Sequence, residues 1–225
     1  MMDRTIFSSS SVADSERFPG LRAEYEAGGR AEHYAGERWA GTRHSRRTDR
    51  AEQAIVGRWL TRCAPLFRVM DVPSGTGRFL SLLTTHADSV LAIDAAHAML
   101  RQHSGAARVQ ASAHALPWRA GAADLVLCSR LLHHLGAESE RRAVLNELAR
   151  VSRRWLIVSH FDRLSLQAWR SRLRGRTDGR SAIAVKDFRR EAEACGWREL
   201  DRAWIARGVS EQTWALLEKS APSVL

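Results

Sequence analysis

Apolar residues along this chain fall into two kinds of cluster. Short runs that stop at small or turn-forming residues occur at Phe67 to Val72, Ser89 to Ile93, Arg108 to Ala111, Ala123 to Cys128 and Trp155 to Ser159. Runs of this length, rich in Val, Leu and Ile, read as buried strands of a parallel sheet. Between them the spacing becomes helical. Arg43 to Cys63 carries Ala54, Ile55, Trp59 and Leu60 at helical intervals, and Glu138 to Val151 carries Val144, Leu145, Leu148 and Val151 on one face. Phe79 to His86 and Ala98 to His103 read as two shorter helices. Five strands joined by helices predict an open α/β sheet with mostly parallel strands.

The ends of the chain depart from this rhythm. Residues 1–13 are short, polar and serine-rich and read as disordered. Residues 14–62 form a charged N-terminal helical region, and residues 63–225 hold the α/β domain. An arginine-rich insert spans 161–184, with an amphipathic piece at Leu164 to Leu173. A helix at Val185 to Cys195 stops at Gly196, as left-handed glycine caps do. Trp197 to Ile205 and Gln212 to Glu218 then read as two strands joined near Gly208, the second with a helical alternative at Thr213 to Leu217.

Composition narrows the picture only in part. The 225 residues suffice for one domain with a sizeable core. No apolar run reaches membrane-spanning length, and Ile6-Phe7 is too short for the core of a signal peptide. Cys63, Cys128 and Cys195 are far apart and in no metal-like spacing, so no metal site is expected and a reducing cytoplasm is the simplest location. The net charge of +10 is carried almost wholly by arginine. A GC-rich genome produces that skew without a partner; nucleic acid, a phospholipid surface or an anionic substrate would also account for it.

The segment Asp71-Val72-Pro73-Ser74-Gly75-Thr76-Gly77 lies where the first strand ends and a helix begins. Glycines there turn the chain tightly and admit a ligand without Cβ interference, and a helix start offers free N–H groups. Asp94 ends the next strand, where an acid can bind both hydroxyls of a ribose. A dinucleotide site is disfavoured, because Leu80 replaces the third glycine of that fingerprint. Asp71, four residues before the first glycine, suits a ligand carrying an ammonium group.

Val69 to Leu80 resembles motif I of class I S-adenosylmethionine (SAM)-dependent methyltransferases. The resemblance continues in order through Leu91 to Asp94 with Met99-Leu100, Ala113 to Trp118 with Asp124 to Val126, Leu131 to Leu135, and Asn146 to Val151. It implies a Rossmann-like, doubly wound sheet of seven strands, mostly parallel, with an antiparallel strand in the C-terminal hairpin. It implies SAM as cofactor, bound along Asp71, Pro73, Ser74, Gly75, Thr76 and Gly77, with Asp94 and Ala95 at the ribose and Met99 near the adenine. Ser112 stands where relatives often carry an aspartate facing the adenine amino group, so Ser112, Ala113 and His114 would serve there. Ser129 and Arg130 would sit near the methyl group.

Two histidines follow the fourth strand. His134 is the candidate base for a hydroxyl acceptor, since an imidazole titrates near working pH. Its geometric case assumes that Arg130 to Leu135 is helical, which puts Arg130 and His134 on one face. A structural use of His133 and His134 is the other reading. Tyr34 and Arg43, Arg46, Arg47 and Arg50 precede the core in a region that in relatives closes over the cofactor; alternatively the arginines lie on a solvated face balanced by Asp49 and Glu52. Arg163, Arg170, Arg172, Arg174 and Arg176 surround Trp169 in a phosphate- or membrane-facing lip, or in a plain charged loop. The expected activity is methyl transfer to an oxygen or nitrogen of a small-molecule or lipid-linked (glycolipid-like) acceptor, in the cytoplasm or peripherally at a membrane surface. RNA methylation and a catalytically inactive partner subunit are the alternatives.

Overall fold

The computed structural model describes residues 42–175 and 180–220. The disordered segment expected at 1–13, the part of the charged helical region expected at 14–41 with Tyr34, and Arg176 lie outside the described residues.

The described elements are α1 (Arg43–Cys63), β1 (Leu66–Asp71), α2 (Leu80–Thr84), β2 (Ala87–Asp94), α3 (His97–Leu100), β3 (Ala107–Gln110), β4 (Ala123–Cys128), a 3-10 turn (Leu132–His134), α4 (Glu138–Val151), β5 (Ser152–Phe161), α5 (Leu166–Leu173), α6 (Val185–Ala194), β6 (Trp197–Trp204) and β7 (Gln212–Lys219). The strands form one seven-stranded sheet in the order β3-β2-β1-β4-β5-β7-β6. β1 to β5 pair in parallel, and β7 runs antiparallel between β5 and β6. This is the expected doubly wound sheet with one antiparallel strand, and Thr213 to Leu217 is strand rather than helix.

Alternation along each strand sends successive side chains to two cores. Val69, Leu125, Leu127, Ile157, Trp214 and Leu216 meet Val56, Trp59, Leu60 and Cys63 of α1 and Leu80 and Leu83 of α2. Met70, Val126, Cys128, Leu156, Val158, Ala215 and Leu217 meet Val144, Leu145 and Leu148 of α4 and Phe188 and Ala192 of α6 on the other face. β5 extends beyond the apolar run Trp155 to Ser159 because its charged start is satisfied across the sheet. Arg154 Nη2 lies 2.9 Å from Glu218 Oε1 of β7.

α1 has the expected bounds but a rotated buried face. Its buried residues are Glu52, Val56, Trp59, Leu60 and Cys63, while Ala54 is exposed and Ile55 only half-buried. A glutamate thus occupies the stripe expected to be apolar. Trp59 Nε1 donates to Asp201 Oδ2 at 2.8 Å, tying this helix to β6. Since α1 runs into the start of β1, its N-terminal half lies at the carboxyl edge of the parallel strands. Open α/β sheets bind their ligands at that edge.

On the opposite face, Arg141 and Glu191 form a buried bidentate pair between α4 and α6, with Nε–Oε2 and Nη2–Oε1 distances of 2.9 and 2.7 Å. Arg141 Nη1 also donates to the carbonyls of Leu135 and Gly136, fixing the loop after the histidine pair. Removing one partner strands a buried charge. Glu191→Gln is therefore expected to lower unfolding free energy by ~3–5 kcal/mol, measured by urea denaturation; a loss below about 1 kcal/mol, the scale of a surface pair, would show that the pair is effectively solvated.

Candidate cofactor site

The carboxyl ends of β1 and β2 are locked together by their turns. Val72 N–H donates to Leu127 O at 2.9 Å and Ser74 N–H to Ile93 O at 2.8 Å, so the chain leaving β1 bridges its two neighbours. Gly75 and Gly77 have φ of 55° and 81°, the left-handed region in which glycine is favoured. The two glycines serve differently. A Cβ on Gly77 would lie 2.8 Å from His103 Cβ and Leu80 Cδ1, so its absence makes room for the protein's own packing. A Cβ on Gly75 would meet only Met99 Cε, at 4.0 Å. Gly75 is therefore the turn position with space beside it, and Met99 forms the near wall.

Asp94 holds this turn to β2. Its Oδ2 accepts from Gly75 N–H at 2.8 Å and its Oδ1 from Ala96 N–H at 2.9 Å. Burial raises its carboxyl pKa, while the amides of Ala96, Gly75 and Ala95 pull it back down. Asp71, at the end of β1, has no such help. It is 1% exposed, and neither carboxylate oxygen has a hydrogen-bond partner. Burial first, and then the negative charge of Asp94, hold its pKa well above the carboxylate range, against a smaller lowering by Arg78. Of the two neighbouring acids, Asp71 is the one pushed further toward its protonated form.

The remaining expected positions surround the same edge. Pro73, Thr76 and Ala95 are half-buried beside the turn, and Ser74 is buried with its hydroxyl unpartnered. Ser112 closes a tight turn, accepting from His114 N–H at 3.2 Å and bridging to Ala115, with Ala113 half-buried between them. Ser129 and Arg130 follow β4. Arg130 has a φ of 58°, costly for a residue with a side chain, and two contacts hold it there. Its N–H donates to Ser159 Oγ at 2.8 Å, its Nη2 lies 2.8 Å from Glu52 Oε1, and Glu52 is fully buried. The same Glu52 also pairs with Arg78, which follows Gly77 and bonds Asp49 through Nε at 2.7 Å.

Glu52 and Arg78 are site residues that the sequence reading missed. Asp49 and Glu52 do not balance the arginine face of α1; they turn toward Arg78 and Arg130. Glu52 leads the buried series 52, 56, 59, 60 and 63, a periodicity that was available in the sequence. Arg43, Arg46, Arg47 and Arg50 are exposed and line an open hollow of about 340 Å³ at the start of α1.

The helix expected at Arg130 to Leu135 does not form. The left-handed Arg130 interrupts it, and only the 3-10 turn at Leu132–His134 remains, so Arg130 and His134 are not paired on a helical face. His133 is buried and stacked on Phe161, with ring centroids 3.9 Å apart and planes at 4°, which is the structural reading. His134 is half-buried, 4.3 Å from the His133 ring, on the loop that Arg141 fixes.

A family model described as a methyltransferase domain matches residues 70–155. A search of curated proteins finds no sequence match. Among solved structures, the chain is similar to the magnesium protoporphyrin IX methyltransferase of Synechocystis PCC 6803 with bound SAH, at 16% identity and a TM-score of 0.71 over 89% of this chain and 98% of that one. It is similar to a SAM-dependent methyltransferase of Archaeoglobus fulgidus at 15% identity and a TM-score of 0.62, over 82% and 97%. A Thermotoga maritima SAM-dependent methyltransferase, described as a possible histamine N-methyltransferase, aligns at 14% identity and a TM-score of 0.60, over 77% and 91%. At such identities the likeness is one of fold.

The pH behaviour of Asp71 can be measured without any ligand. The folded protein holds a proton on Asp71 that the unfolded chain releases near the ordinary aspartate value of 3.8, so stability falls as pH rises from there toward the raised folded pKa. Asp71→Asn is expected to remove this dependence, gaining on the native protein by up to about 1.4 kcal/mol per pH unit across that window. Parallel stability curves for the two proteins from pH 4 to pH 7 would mean that Asp71 is ionised and solvated.

Proposed function

We propose that this chain, whose residues 70–155 match the model of a methyltransferase domain, is a class I SAM-dependent methyltransferase that moves a methyl group to an oxygen or nitrogen of a small-molecule or lipid-linked acceptor. The observation that carries the reading is Asp71, a buried acid with both oxygens unpartnered at the base of a turn whose Gly75 has space beside it. A carboxyl group in that position is stabilised by a ligand bearing an ammonium group, and SAM bears one. The cofactor supplies a methyl group already activated on a sulfonium, so the protein's task is to align, hold and exclude water.

In this reading Asp71 accepts the ammonium and gives up its proton as it does so. Asp94 uses its remaining lone pairs for the ribose hydroxyls while still holding Gly75. Pro73, Ser74, Thr76 and Gly77 shape the turn, Met99 and Ala95 flank the adenosine, and Ser112, Ala113 and His114 meet the adenine edge. Arg130 and Ser129 border the methyl position, with Glu52 and Arg78 as positioning residues behind them. His134 takes a proton from a hydroxyl acceptor; an already nucleophilic amine needs no such help. The arginine-lined hollow at the start of α1 favours an acceptor with an anionic group. The same arginines support RNA as the second reading, which a steep loss of binding with salt would reveal.

Calorimetry with SAM tests the site. Binding is expected to release about one proton from Asp71, seen as a dependence of the heat on the buffer's ionisation enthalpy. Asp94→Ala should weaken binding by ~1.5–3 kcal/mol, the scale of charge-assisted hydrogen bonds. Absence of binding heat in the folded native protein would point instead to an inactive partner subunit.

His134 is tested by turnover, using labelled cofactor and a panel of hydroxyl and amine acceptors. His134→Ala is expected to cut transfer to a hydroxyl by ~10²–10⁴-fold with SAM affinity unchanged. A native rate with an unaltered pH profile would return His134 to a structural role.

A further inference from the structure

α5 carries its apolar residues on the wrong side for a helix that packs on a core. Leu166, Trp169 and Leu173 share one face at i, i+3 and i+7, and are 38%, 55% and 68% exposed. Ala168, on the opposite face, is the buried residue of the helix. The exposed face continues into Leu164, 74% exposed, and Val209, 56% exposed. Val209 belongs to the turn between β6 and β7, and that turn is tied to the helix: Leu166 N–H donates to Gly208 O at 2.8 Å and Gln167 N–H to Val209 O at 3.0 Å. The Ser165 hydroxyl caps the helix by accepting from Ala168 N–H, so the display is held by local hydrogen bonds.

Among the described residues, the exposed charges beside this patch are all positive. Arg163, Arg170, Arg172, Arg174 and Arg207 are exposed beside it. No acid occurs from Arg163 to Gly175; Asp162 and Glu211 are buried, and Asp187 pairs with Arg163 at 3.7 Å. Exposed apolar residues with a tryptophan among them, rimmed by arginines, match an interfacial helix on a lipid surface. A nucleic acid partner would use the arginines and leave four aliphatic side chains and an indole without a role.

We infer that the face formed by Leu164, α5 and the β6–β7 turn docks on an anionic lipid bilayer. β5 ends just before α5, and β6, parallel to β5, ends at the linked turn, so the docking face lies on the same carboxyl edge as the cofactor site. An acceptor dissolved in that bilayer thereby reaches the methyl donor without crossing water. This last consequence rests on the proposed methyl transfer, whereas the docking itself does not.

The test is flotation of the full chain with vesicles of phosphatidylcholine, alone or with about one-third phosphatidylglycerol to supply an anionic surface. The protein is expected to float with the anionic vesicles only, and less so as salt is raised. Leu164→Ser, Trp169→Ala and Leu173→Ser together should lower partition by at least ~10-fold. Arg170→Gln, Arg172→Gln and Arg174→Gln together should lower it on the order of 100-fold. Both sets lie on the surface, and unchanged SAM affinity by calorimetry would show that fold and cofactor site are intact, separating this test from that of the methyltransferase reading. The inference fails if the native protein does not float with anionic vesicles, or if the apolar variant floats as well as the native protein. It also fails if that variant's only effect is to abolish a dimer seen by ultracentrifugation, which would make the face a contact with a second copy.

Discussion

The carboxylate of Glu52 sits, fully buried, between guanidinium groups from two other elements: Arg78 from the turn entering α2 and Arg130 from the end of β4. Each of the three is confined by the others. Without Glu52, two arginines would remain charged and largely desolvated beside the glycine turn; without either arginine, the acid would be under-compensated. Breaking such a cluster costs several kcal/mol, and that penalty keeps α1 seated over the carboxyl edge of the sheet. It also sustains the left-handed backbone of Arg130, a conformation that costs ~1–3 kcal/mol for a residue with a side chain.

Around this clamp, two acids at adjacent strand ends behave differently because their backbone surroundings differ. Asp94 receives amide hydrogens from both sides and can stay charged while buried. Asp71, next to it, receives none. The two positions therefore differ in kind: one carboxyl is held by backbone amides that shape the turn, and the other is desolvated with no hydrogen-bond donor to favour its charged form. Such a division lets the protein keep the turn ordered while leaving one group responsive to ligand charge.

The parallel strands were legible in the sequence because burial on both faces leaves unbroken apolar runs with sharp ends, as at Ala123 to Cys128. The buried face of α4 was equally plain from Val144, Leu145, Leu148 and Val151. What stayed hidden were charged residues whose partners are remote in sequence. Glu52 looked like a local counter-ion for Arg43 to Arg50, yet it pairs with Arg78 and Arg130. The strand expected from Trp155 starts at Ser152, where Asp124 and Glu218 receive Arg153 and Arg154. The helix assumed at Arg130 to Leu135 in the case for His134 is interrupted by the left-handed backbone of Arg130. In the candidate site, the glycines, Asp71 and Asp94 were readable from spacing. The unequal duties of Gly75 and Gly77 depend on His103, which periodicity does not connect to them.

The position of β7 has a consequence for how the molecule is assembled. Among the described strands, β6 pairs its backbone with the sheet only through β7, and β7 follows β6 along the chain. Until residues 212–219 emerge, β5 has an open edge, Trp197 to Trp204 has no strand to join, and the cores on both faces lack Trp214, Ala215, Leu216 and Leu217. The sheet thus closes by insertion of a late strand between two earlier ones. That order leaves the partly made chain dependent on protection of that edge.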